Sequence, residues 1–150
     1  MKLAEALQER ADLNRRIAQL NNRLSCNATV QEGEQPAENP SELLKELDSC
    51  IDRLEELICR INLTNCQTVT DSKTLTEQIA HRDCLKEKLK SYRVLAEEAS
   101  RLTDRVSRTE IRVCSSVSVK ELQKQIDSLA KELRLADNRI QQTNWTTELL

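Results

Sequence analysis

Apolar residues recur at intervals of three and four along almost the whole chain. Near the C-terminal end Val119, Leu122, Ile126, Leu129, Leu133, Ala136 and Ile140 form an unbroken helical seam. Ser118 and Glu121 mark its start as a capping box, and Val117 is placed to staple onto Leu122. At the other end Leu3, Ala6, Leu13, Ile17, Leu20 and Leu24 keep the same rhythm, broken only by Arg10. Asn27, a residue that tolerates the left-handed conformation, is expected to stop that helix. A second helix starts at Asn39 as cap, with Pro40 in the first turn and Glu42 closing the box. Its predicted seam is Leu44, Leu47, Ile51, Leu54, Ile58 and Ile61. A parallel line of Leu43, Cys50 and Leu57 widens the face enough to touch two neighbours. Thr74 and Glu77 cap a third helix with a stripe of Leu75, Ile79, Arg82, Leu85, Leu89, Tyr92, Ala96 and Ala99, and Leu102 at its end. The predicted helices cover about 2–27, 40–65, 75–103 and 119–142.

Between helices the rhythm breaks. Residues 28–39 hold the one Gly, Gly33, where a turn needs positive φ, together with Glu32, Glu34 and Glu38. Those carboxylates do not have EF-hand spacing and read as solvated. Residues 67–74, rich in β-branched side chains around Asp71-Ser72, predict a short hairpin or extended connector. In residues 104–117, Ile111, Val113 and Val117 alternate as in a strand. If residues 29–31 are also extended, the two segments are placed to pair as a small sheet.

Four helices of matched length, each about 36–44 Å at 1.5 Å per residue, predict an all-α fold in a single domain over residues 1–150. An antiparallel four-helix bundle is the first arrangement, and paired long helical hairpins the second. Composition agrees: 38% of the 150 residues are apolar, 32% are charged, and there is one Trp, one Tyr and no Phe. Leu7, Leu63, Leu95, Leu135, Leu149 and Leu150 are surplus to one bundle core, which predicts a homo-oligomer. The net charge of −2, with both signs interleaved and no aromatic platform, argues against a nucleic-acid partner. No apolar run reaches the roughly 20 residues of a membrane span. Met1-Lys2-Leu3 runs straight into an amphipathic pattern without a signal peptide, so the expected location is cytoplasmic.

The chemistry on offer is narrow. Six cysteines, at 26, 50, 59, 66, 84 and 114, have irregular spacing and no CxxC, and read as reduced thiols. Cys59, Cys66, His81 and Cys84 do not have the spacing of structural zinc sites, so neither metal nor cofactor is expected. One His and one Gly leave no Ser-His-acid set and no phosphate-cradling loop. No catalytic residue is assigned. What stands out is an arginine inside two apolar stripes, Arg10 and Arg82, each about two turns from its helix start. An antiparallel bundle puts both in one layer, with Asp83 and Asp137 in reach and Asn62, Asn65, Gln141, Asn144 and Trp145 nearer the rim. A cation at a core position is costly unless paired, so a charge network is expected. It either fixes helix register or holds a small anionic ligand on its guanidiniums. The function read from the residues is a self-assembling structural or interaction protein, with an anion-binding module as the alternative.

Several words of the chain resemble, as an ordered set, a family of small bacterial proteins of unknown function, some of which carry the label septicolysin. They are VQEGE (Val30–Glu34) with Pro36 and Pro40, INLTN (Ile61–Asn65), LTE (Leu75–Glu77) with Arg82-Asp83, LQKQID (Leu122–Asp127) and NWTTEL (Asn144–Leu149). The resemblance spans nearly the whole chain. It departs at Glu38-Asn39-Pro40, where Glu-Asp-Pro is the family's form, and in its larger number of cysteines. The resemblance implies a small helical bacterial protein, and the label implies a haemolysin-like toxin. The residues themselves supply no membrane-spanning segment and no strand array for a pore.

Overall fold

A computed structural model describes residues 1–102 and 113–150. Among the described residues the long elements are the helices α1 (Leu3–Cys26), α2 (Pro40–Gln67), α3 (Leu75–Ser100) and α4 (Val119–Thr146). A two-stranded ribbon, β1 (Val69–Thr70) and β2 (Lys73–Thr74), joins α2 to α3. The chain is thus mostly helical. It divides into two compact units, the first Met1–Thr74 with Thr143–Leu150 and the second Leu75–Gln142.

In the first unit α1 and α2 run antiparallel, held in register by charge pairs at three levels. Arg53 Nε reaches Glu9 at 2.7 Å, Arg16 reaches Glu46 at 2.6 Å, and Arg23 meets Glu38. Between these pairs Leu20 packs with Leu43 and Cys50, flanked by Leu13, Ile17, Leu24 and Leu47. Leu3, Ala6, Leu57 and Ile61 continue the core towards the chain ends. The buried row of α2 is therefore Leu43, Cys50 and Leu57, with Thr64 at its end. This corrects the predicted seam, because Leu44, Ile51 and Ile58 are 49%, 44% and 39% exposed. Rows one residue apart lie about 100° apart around a helix, and a single neighbour covers only one of them.

The turns follow from local chemistry. Asn39 Oδ1 accepts the Ser41 N–H at 3.0 Å, with Pro40 next to it at the first helical position. Gly33 adopts φ +87°, as its turn requires. Asp71 and Ser72 take φ 52° and 63°, the paired positive values of a type I′ hairpin turn. Asn27 does end α1, but at φ −105° rather than in the left-handed region. Its side chain replaces that device: Nδ2 donates to Arg23 O, and Oδ1 accepts the Glu38 N–H, each at 2.9 Å. The residues of 28–38 are thereby tied back to the helix they leave.

In the second unit Leu89 packs with Leu122 and Ile126, surrounded by Tyr92, Ala96, Val117, Leu129, Ala130 and Leu133. Val117 thus takes the stapling position expected of it. Among the described residues neither 29–31 nor 113–118 is strand, and the rest of the expected strand, 104–112, lies outside them. Val117 is used by the α4 core, and Ser115 Oγ turns back to bond its carbonyl, so the alternation has no sheet face to serve. Ile111, Asp104 and the expected end of α3 at 103 lie outside the described residues.

Adjacent substitutions on α2 distinguish its two rows. Leu57→Ala should cost about 3 kcal/mol, the usual loss for a fully buried leucine. Ile58→Ala should cost less than about 1 kcal/mol. Urea denaturation of the two variants checks this, and equal losses would show that both rows are covered.

Candidate functional site

The predicted polar cluster is divided between the two units. In the second, Arg82 leaves the α3 stripe and its guanidinium, 20% exposed, meets two carboxylates. Nε donates to Asp83 at 2.9 Å, and Nη1 lies 3.5 Å from Asp137 on α4. Both expected partners are therefore in place, and the Arg82 charge is answered within the protein. Beside it His81 Nε2 lies 3.4 Å from Glu132, a second contact between α3 and α4.

Arg10, Asn62, Asn65, Asn144 and Trp145 belong to the first unit. Arg10 is half-buried on α1 and makes neither hydrogen bond nor ion pair among the described residues. The α1–α2 register places it level with Arg53, whose guanidinium is taken by Glu9 and Glu56. Asn62 is exposed, Asn65 half-buried and Asn144 buried, whereas Trp145 is 58% exposed. Among the described residues no group of three or more His, Cys, Asp or Glu side chains is arranged to hold a metal ion. Cys50 is buried, the other five cysteines are exposed, and none of the six is in a disulfide.

Two features of the first unit escape the sequence reading. One is a clasp between the chain ends. Lys2 and Glu148 form an antiparallel β-bridge, with Leu3 N–H to Thr147 O and Leu149 N–H to Met1 O at 2.9 Å each. Lys2 Nζ sits 2.6 Å from Glu148, and the Met1 amino group 3.2 Å from it. Arg60 Nε then donates to Leu150 O at 2.6 Å, and Thr64 Oγ1 accepts the Leu150 N–H at 3.0 Å. The hydrogen bond from Lys2, helped by the nearby Met1 amino group, holds the Glu148 carboxyl below its ordinary pKa.

The other feature is the uncovered row of α2. Leu44, Ile51 and Ile58 stand at heptad spacing on the surface, with Leu47 and Leu54 half-buried beside them. Asp48, Asp52 and Glu55 are exposed along one margin.

Residues 10–149 match a family of unknown function (DUF6847), and the chain belongs to that family. A crystal structure of a functionally unknown conserved protein from Corynebacterium diphtheriae is similar to it. The two chains are 43% identical, the alignment covers 100% of this chain and 99% of that one, and the TM-score is 0.94. No curated protein matches the chain. The expected membership of a family of unknown function is thus met, and neither likeness carries the septicolysin label.

The clasp has a pH dependence of definite sign. A carboxyl whose pKa is lowered by folding stabilises the fold above its ordinary pKa, and that contribution is lost as pH falls through the lowered value. Glu148→Gln should therefore lower the melting temperature at neutral pH and flatten the loss of stability on acidification to about pH 3. Thermal melts across that range check it. Parallel curves for variant and wild type would show that Glu148 contributes nothing.

Proposed function

We propose that this chain is a non-enzymatic helical interaction protein whose work is to hold another helix against α2. The observation that carries this reading is the exposed row Leu44, Ile51 and Ile58, which keeps heptad order beside a second row already buried by α1. Apolar residues scattered on a surface need no explanation, but a row in seam register on a helix with a satisfied core face does. Covering the remaining exposed surface of each residue contributes about 1 kcal/mol. The paired state of Arg82 supports a structural role for the Arg82–Asp83–Asp137 cluster rather than an anion site.

We also read the protein as a homo-oligomer. Of the six surplus leucines, Leu149 is buried and Leu7 half-buried, while Leu63, Leu95, Leu135 and Leu150 are 44–51% exposed and available to other copies. Six cysteines outside any disulfide suit a reducing compartment, which supports a cytoplasmic location. A toxin role, which the septicolysin label implies, draws no support from the helices: none described is long and apolar enough to cross a membrane.

Light scattering at micromolar concentration should give a mass of at least two 17.2 kDa chains. Replacing Leu63, Leu95, Leu135 and Leu150 together with Gln should reduce it to one. A wild type that is already monomeric removes the oligomer reading without touching the α2 face. That face is tested separately. A synthetic amphipathic helix with a leucine stripe and Gln flanks should bind wild type and fail to bind an Ile51→Ser/Ile58→Ser variant.

A further inference from the structure

The margin of the uncovered α2 row carries charge of one sign. Asp48 lies four residues after Leu44 and three before Ile51, and Glu55 stands in the same relation to Ile51 and Ile58. Each carboxylate therefore sits on the helix surface between two members of the row. Asp52, four residues on from Asp48, extends the acidic line, and on α2 Lys45 stands three residues before Asp48. All three acids are exposed, and among the described residues none makes a hydrogen bond or ion pair. The contrast lies within one helix. Glu46 is bonded to Arg16 of α1, and Glu56 to Arg53 of α2 itself. Glu46 and Glu56 are thus neutralised, whereas the three acids beside the free apolar row are not.

We propose that the α2 face of Leu44, Ile51 and Ile58 with Asp48, Asp52 and Glu55 docks a basic amphipathic helix of another protein. The proposal rests on the helix-docking reading above and adds the partner's chemistry. The apolar row spans about 21 Å, four turns of a partner helix. Lysine or arginine on that helix, flanking its own stripe, would meet the unpaired carboxylates and set its orientation. A second copy of this chain does not supply them. Antiparallel pairing of two copies through the same row, centred on Ile51, sets Asp48 of one against Glu55 of the other. That like-charge contact opposes self-association at this face.

Three synthetic helices of about 18 residues, sharing one leucine stripe and carrying Lys, Gln or Glu flanks, test the proposal by fluorescence anisotropy with the full chain. The Lys helix should bind about tenfold or more tightly than the Gln helix. The Glu helix should bind more weakly than either, and the preference should shrink as salt rises. Asp48→Asn/Asp52→Asn/Glu55→Gln should bind the Lys and Gln helices equally, and Ile51→Ser/Ile58→Ser should bind neither. All five positions are exposed, and circular dichroism confirms that the variants remain folded. Equal affinity of wild type for the three helices overturns the basic partner and leaves helix docking intact. Failure of wild type to bind any of them overturns both. Undiminished Lys-helix binding by the Ile51/Ile58 variant places the attraction elsewhere and overturns the site. Conversion of an oligomeric wild type into monomers by that same variant assigns the face to a second copy and also overturns the proposal.

Discussion

One helix in this protein must satisfy two apolar rows, and one neighbour covers only one of them. On α2 the rows 43/50/57 and 44/51/58 are about 100° apart. α1 takes the first, where Leu57 is fully buried and Leu43 nearly so. The choice between them rests on the charge pairs. With Glu9, Arg16 and Arg23 on α1 matched to Arg53, Glu46 and Glu38, the α1 seam faces Leu43, Cys50 and Leu57. A rotation of α2 towards the other row would part Arg53 from Glu9 and Arg16 from Glu46 together. Individually such exposed pairs are weak. As a ladder along one register they decide between two apolar alternatives of similar size.

Polar side chains hold the ends of the first unit as well. Asn27 serves as the anchor of the 28–38 segment, returning one bond to Arg23 and taking one from Glu38. At the other end Lys2 and Glu148 join the chain ends through backbone and side chain, while Thr64 and Arg60 receive Leu150. The end of α1 and the chain ends are thus held by side-chain hydrogen bonds to backbone, around a narrow aliphatic seam.

The sequence showed much of this, and its failures have specific physical causes. Helix positions were legible because caps and seams agree; Asn39-Pro40 and the Asp71-Ser72 turn lie where local chemistry demands them. Arg82 was legible too, since a cation in an apolar stripe requires partners, and Asp83 and Asp137 supply them. Which α2 row would be buried was not legible. Periodicity locates apolar residues but does not say which of two faces the neighbour takes, and the charge pairs that decide it join residues 15 to 44 positions apart. Residues 113–118 are not strand, because alternation in a short segment cannot be told from a stapling residue beside a polar linker. The clasp could not be read either, because backbone bonds between residues more than 140 positions apart leave no periodic trace.

The α2 face is the feature on which the functional account stands, and methyl NMR measures it directly. With a soluble paramagnetic agent added to the full chain, the methyl signals of Leu44, Ile51 and Ile58 should broaden strongly. Those of Leu43 and Leu57, one residue away on the buried row, should be largely spared. Protection of Ile51 and Ile58 equal to that of Leu57 would mean that the row is already covered in the isolated protein, and would contradict the account.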